Sequence, residues 1–243
     1  MSNSSFKIQD FVSIPDFVSL MNAGSGLLAI LLTIWGEYFI AAQFMILAIV
    51  FDSVDGWVAR KLNRIDGSDF GKNMDSLCDV ISFGIAPGIF LYSTTLTTQI
   101  RYINILVCFL IVICGILRLA RFNVISDNIE QPKGEFVGLP IPALALMLSS
   151  FYLSGFYNIE VSLILMTISS IMMISSFNYL KPVNIKIAGC ILITLILVCL
   201  PQNIQVHLWN LPAIISFVCS TIYLIFMHCW ALFTNIKSGP HVR

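Results

Sequence analysis

The sequence predicts an all-α integral membrane protein: about eight transmembrane helices, N- and C-termini cytoplasmic, preceded by a short interfacial helix. Three observations lead there. Hydrophobic residues make up 58% of the 243-residue chain and charged ones only 11%, more apolar surface than a soluble domain of that length buries. The apolar residues gather in eight stretches, each near the roughly 20 residues that cross a hydrocarbon layer. The positive charges fall almost entirely on one side of those stretches.

Residues 6–18, FKIQDFVSIPDFV, mix apolar and polar positions. They predict a helix lying in the interface, with Pro15 breaking it from the first span; a plain tail is the alternative. The N-terminus lacks a compact basic-then-apolar signal with a cleavage site and is expected to be retained. Spans are predicted near 17–35, 38–60, 75–97, 102–122, 139–157, 160–180, 186–204 and 211–234. With the N-terminus inside, Lys7, Arg60, Lys61, Arg64, Lys72, Arg118, Arg121, Lys133, Lys181, Lys186, Lys237 and Arg243 all lie at or near cytoplasmic ends. Only Arg101 falls outside, so the polar ends of the second and third spans face the cytoplasm. The largest polar loop is 123–137, followed by GLPIP, and the whole chain, 1–243, reads as a single membrane domain. A net charge of zero gives no reason to expect nucleic acid as a partner. The seven cysteines show no CxxC pair and read as small buried hydrophobes.

Against this apolar background, six of the thirteen acidic residues fall within 51–80, FDSVDGWVARKLNRIDGSDFGKNMDSLCDV. On a helix, Asp52, Asp55, Gly56 and Ala59 share one stripe, and Gly71, Asp75 and Asp79 share another. The short polar connection 61–70 predicts an antiparallel helix pair with the stripes facing. Gly56, Ala59 and Gly71 carry almost no side chain, which would let the backbones approach there. Four carboxylates would then converge, and they cannot all stay ionised in a low dielectric unless cations neutralise them. Hard oxygen donors suit Mg²⁺ or Mn²⁺, and paired divalent ions are common where phosphoryl groups move. A structural polar network or a cation pathway is the competing reading. Arg60 beside the cluster suits a phosphate ligand, although an inside-end arginine that snorkels to the headgroups would look the same.

The pattern Asp52-x-x-Asp55-Gly56-x-x-Ala59-Arg60…Gly71-x-x-x-Asp75-x-x-x-Asp79 resembles the signature of the CDP-alcohol phosphotransferase family. "MDSLCDVISFGIAPG" (74–88), "GILRLARFNV" (115–124) and "GLPIPA" (138–143) resemble its membrane-type phosphatidylserine synthase branch. The resemblance covers about 10–180, and about 181–243 reads as two additional C-terminal transmembrane helices without a usable motif. Two departures are visible: the connection 61–70 is longer than usual, with the extra residues near Asp66-Gly67, and Asp16 stands where the family often has Pro-Asn.

The resemblance implies that CDP-diacylglycerol and L-serine give phosphatidylserine and CMP. It makes Asp52, Asp55 and Asp75 ligands of two divalent ions, Mg²⁺ or Mn²⁺, and Asp79 both ligand and catalytic base. Gly56, Ala59, Arg60, Ser68 and Gly71 would contact the CDP-lipid. Arg118 and Arg121, three apart and so on one face, are candidates for the serine carboxylate or a phosphate, with Lys133 nearby; a basic anchor and a solvated loop lysine are the plainer readings. Gly138, Pro140 and Pro142 are expected to shape a rigid turn. His207, His228 and His241 lie far from the cluster in sequence and are not expected as ligands. The family also implies a homodimer in a cell (inner, if prokaryotic) membrane, with its site at the cytoplasmic face. Two alternatives stay open: the same chemistry on glycerol 3-phosphate or an inositol phosphate, and, remotely, a cation-coupled transporter.

Overall fold

The computed structural model describes residues 12–61, 70–96, 101–128, 135–180 and 185–238. Helix α1 (Ile14–Ile34) opens on a capping arrangement. The Asp16 carboxylate accepts from the Ser13 backbone N–H at 2.7 Å and from Ser13 Oγ at 2.9 Å. Pro15 sits in the first turn, where a missing N–H costs nothing and its fixed φ suits the helix. It therefore starts the span, in place of the break expected there. Helix α2 (Tyr38–Lys61) follows after a tight turn and packs along α1.

The third span is one helical rod with a fault in it. Helix α3 (Phe70–Asp79) runs into a π-helical turn, Val80–Ile85, and continues as α4 (Ala86–Thr94). Pro87 can neither donate to the preceding turn nor tolerate its carbonyl at ordinary distance, and a wider turn relieves that conflict. Helix α5 (Arg101–Asn128) runs past the predicted end of its span into the expected polar loop. The extension is held to the start of α3: Lys72 Nζ donates to the Asn123 carbonyl at 2.8 Å, and Asn123 Nδ2 to Ser76 Oγ at 2.8 Å.

Helices α6 (Ile141–Leu153) and α7 (Ile159–Ile174) are shorter than predicted. The missing length is taken by a ribbon absent from the all-α expectation, in which β1 (Glu135–Val137) pairs antiparallel with β2 (Asn178–Leu180), Phe136 opposite Tyr179. Gly138, at φ +80°, turns out of β1 and donates to the Phe177 carbonyl at 2.8 Å. Helix α8 (Ile185–Val198) gives way to the short α9 (Gln202–His207) and then to α10 (Leu211–Ser238).

Among the described residues, four helical segments are long and apolar enough to cross a membrane: Pro15–Ile34, Tyr38–Val58, Phe70–Thr94 and Tyr102–Ile125. Four shorter apolar helices accompany them: Ile141–Leu153, Ile159–Ile174, Gly189–Val198 and Leu211–Phe226. Large apolar side chains such as Leu106 and Phe109 stand 68% and 66% exposed on α5, which water would penalise and lipid does not. This is an integral membrane protein.

A cluster of aromatic rings (Tyr38, Phe90 and Tyr152, with centroids 5.1–6.2 Å apart) joins α2, α4 and α6. Tyr38 stands 14 residues before Asp52 on α2, about 21 Å along the axis, so the rings close the end of the bundle opposite the aspartates. On the C-terminal side, Gln43 Nε2 donates to the carbonyls of Val198 (3.1 Å) and Leu200 (2.6 Å) at the end of α8, and Gln205 Nε2 donates to the same two.

Candidate active site

The aspartates of α2 and α3 do converge, although not by the route expected. Within the described residues, the backbones of α2 and α3 hardly touch; α1 packs along both instead. The gap between the helices is filled by the carboxylates themselves. Asp52, Asp55 and Asp75 each present an oxygen within 4.8 Å of the others, and Asp79 lies within electrostatic reach of Asp52 and Asp75. Asp55 and Asp79 are buried.

Helix α1 supplies two residues that the sequence reading passed over. Ser19 Oγ donates to Asp55 Oδ2 at 2.9 Å, and Asn22 Nδ2 donates to Asp79 Oδ1 at 3.1 Å. Their signal was present: Asp16, Ser19, Asn22 and Gly26 recur at helical spacing in an otherwise apolar stretch, marking one polar face. The π turn anchors the same face, since Ser82 Oγ donates to the Asn22 carbonyl at 2.9 Å. Only glycine fits at 26, because a Cβ there would lie 2.6 Å from Ser82 Cα. Asn22 is thus held by its backbone while its amide orients Asp79.

Not every polar atom is satisfied. Asp75 Oδ1 is buried with no hydrogen-bond partner among the described residues, a costly state for a carboxylate. A set of acidic oxygens with an orphan among them fits a hard divalent cation. The donor set would be Asp52, Asp55 and Asp75, with Asp79 adjoining.

Arg118 and Arg121 part company despite their shared helix. Arg118 is buried, at 7% exposure, with its guanidinium 5.3 Å from the centre of the Phe122 ring. It lies within electrostatic reach of Asp52 and Asp79, and its Nε has no hydrogen-bond partner among the described residues. Arg121 turns to the other side. Its Nη1 donates to the carbonyls of Ile174 (3.0 Å) and Ser175 (2.9 Å), its Nη2 to those of Val137 (3.1 Å) and Met173 (2.9 Å). Those carbonyls end α7 and β1, where a cation meets the negative end of the helix. A Cβ at Gly138 would collide with the Met173 carbonyl and the Arg121 guanidinium.

Of the other predicted contacts, Gly56 lies on α2 beside Asp55, and Gly71 is buried at the start of α3. Ala59 and Arg60 belong to the last turns of α2, but their side chains lie outside the described residues, as do Ser68 and Lys133. His207 is on α9, remote in sequence from the aspartates.

The sequence profile of the CDP-alcohol phosphatidyltransferase family matches residues 12–176. Over 173 residues the chain is 54% identical to an archaetidylserine synthase of Methanothermobacter thermautotrophicus, covering 71% of this chain and 72% of the relative. It is 41% identical over 180 residues to a CDP-diacylglycerol–serine O-phosphatidyltransferase of Methanocaldococcus jannaschii, covering 74% and 79%. A protein of the same description from Bacillus subtilis is 39% identical over 141 residues, covering 57% and 75%.

Proposed function

The chain belongs to the CDP-alcohol phosphatidyltransferase family, and from that premise we propose that it transfers the phosphatidyl group of CDP-diacylglycerol to the hydroxyl of L-serine, releasing CMP. The observation that carries this reading is the convergence of four carboxylates beside a buried arginine whose Nε has no partner among the described residues. Serine is common to the names of the relatives described above.

Asp52, Asp55, Asp75 and Asp79 would hold a pair of divalent ions, Mg²⁺ or Mn²⁺. Such ions, when bound, supply positive charge against the pyrophosphate and the leaving CMP. Asp79, oriented by Asn22, takes the proton of the serine hydroxyl as the oxygen forms its bond to the β-phosphorus and the bond to the CMP oxygen breaks. Gly56, Ala59, Arg60, Ser68 and Gly71 serve the CDP portion. Arg118 pairs with the serine carboxylate, and Lys133 is the remaining cation for the acceptor. The site opens at the cytoplasmic face, because one substrate lies in the membrane and the other in water. Eight spans with both termini inside, and a homodimer, complete the reading.

The lipid half admits a second version. The relative at 54% identity is named for archaetidylserine, so an archaeal ether-lipid counterpart of CDP-diacylglycerol is the alternative donor. The test offers purified protein each CDP-lipid in mixed micelles, with serine, glycerol 3-phosphate or an inositol phosphate, and measures CMP. CMP release that requires serine is the expected result. Release with a phosphorylated acceptor and none with serine overturns the proposal, and the better CDP-lipid decides between the two donors.

A further inference from the structure

Beyond the family match, which ends at residue 176, the chain brings a pair of tyrosines together, one of them within reach of Arg118. Tyr179 in β2 is completely buried, and its hydroxyl has no hydrogen-bond partner among the described residues. Its ring centre lies 5.9 Å from that of Tyr223 on α10. Tyr223 is within electrostatic reach of Arg118, and Arg118 in turn reaches Asp52 and Asp79. Polar groups therefore run in sequence from the C-terminal helix to the aspartates. Two of them, the Tyr179 hydroxyl and Arg118 Nε, are buried and have no hydrogen-bond partner among the described residues.

A tyrosine used for packing alone would be served as well by phenylalanine, without the cost of desolvating a hydroxyl. A hydroxyl and a guanidinium nitrogen that lack partners among the described residues, linked through Tyr223, make sense if a small polar molecule completes this wall. The composition of this wall narrows its chemistry. A phosphorylated alcohol calls for clustered cations, yet Arg121 has its donors on four carbonyls. Among the described residues, one guanidinium with a buried hydroxyl able to donate and accept suits a molecule carrying one carboxylate and one ammonium.

We infer that Arg118, Tyr179 and Tyr223 form the wall of the acceptor pocket that recognises the amino-acid end of serine, which makes β2 and α10 specificity elements of the transferase. This rests on the serine reading above and adds residues that the family pattern does not contain.

The test is steady-state kinetics of the full chain in mixed micelles, wild type against Tyr179→Phe and Tyr223→Phe, varying serine and CDP-lipid separately. Tyr179→Phe is expected to raise the KM for serine about tenfold or more, the usual effect of losing a hydrogen bond to a charged group. The KM for the CDP-lipid should stay within about twofold, which also reports that the variant is folded. Tyr223→Phe should move the serine KM in the same direction. An unchanged serine KM in both variants, or an equal rise for both substrates, overturns the inference while leaving the serine reading intact. Failure of the wild type to use serine at all removes that reading, and the inference with it.

Discussion

Two neighbourhoods one turn apart on α5 handle positive charge in opposite ways. Around Arg121 the polar groups are matched: the guanidinium holds four carbonyls of α7 and β1, and Gly138 leaves the room this needs. Around Arg118, one turn earlier, Arg118 Nε and Asp75 Oδ1 have no hydrogen-bond partner among the described residues. Evolution tolerates buried unsatisfied groups where a ligand or ion completes them. On the function proposed above the first neighbourhood is scaffold and the second is machinery, although the same residue type stands at the centre of each.

Removing the ions that the aspartates would hold should have the largest effect. Exhaustive treatment with EDTA is expected to abolish CMP release, with Mg²⁺ or Mn²⁺ restoring it; full activity in the chelated enzyme would remove the metal reading of the carboxylate centre. Next in size is Asp79→Asn, expected to lower kcat about 10²–10⁴-fold while CDP-lipid and metal still bind. Near-normal turnover of that variant would mean that another group is the base. Arg118→Lys keeps the charge but loses the planar fork, so the KM for serine should rise about tenfold, more than that for the CDP-lipid. If only the lipid KM responds, Arg118 belongs to the phosphate.

The smallest kinetic effects should come from the scaffold side, where the cost is stability. Arg121→Lys loses several hydrogen bonds to carbonyls and should destabilise the protein by about 1–3 kcal/mol, read as a lower thermal midpoint in detergent. Its two Michaelis constants should remain close to wild type. A serine-specific rise in KM for Arg121→Lys, without loss of stability, would erase the contrast between the two arginines. Gly138→Ala should likewise destabilise, by about 1–3 kcal/mol, since a side chain at φ +80° is strained.

Much of this was legible in the chain. The apolar runs dictate where helices lie, and the period of Asp52, Asp55, Asp75 and Asp79 places four carboxylates on facing stripes. The physics of period and polarity reaches that far because it is local. What escaped depends on partners distant in sequence. Ser19 and Asn22 look like ordinary small polar residues until α1 is laid against α2 and α3. Arg118 and Arg121 share a helical face by spacing, and only the position of the α7 terminus separates them. The ribbon of β1 and β2 joins three-residue strands more than 40 positions apart, too short to announce themselves. Pro15 was read as a breaker because proline breaks helices in their interior, whereas at a first turn it starts them.

The π turn after Asp79 has a consequence for phase. A regular helix advances each residue by about 100° around its axis, so the aspartate face of α3 would ordinarily fix which residues of α4 meet the lipid. The wider turn at Val80–Ile85 takes up an extra residue and resets that angle, acting as a gear between a polar end and an apolar end that must face different neighbours. Forcing those residues to the regular pitch with none removed would turn Asp79 roughly a quarter revolution relative to α4. The helix would stay whole, and the span would keep its length to within one residue's rise. The protein would insert and pack at its far end, and its carboxylates would no longer meet.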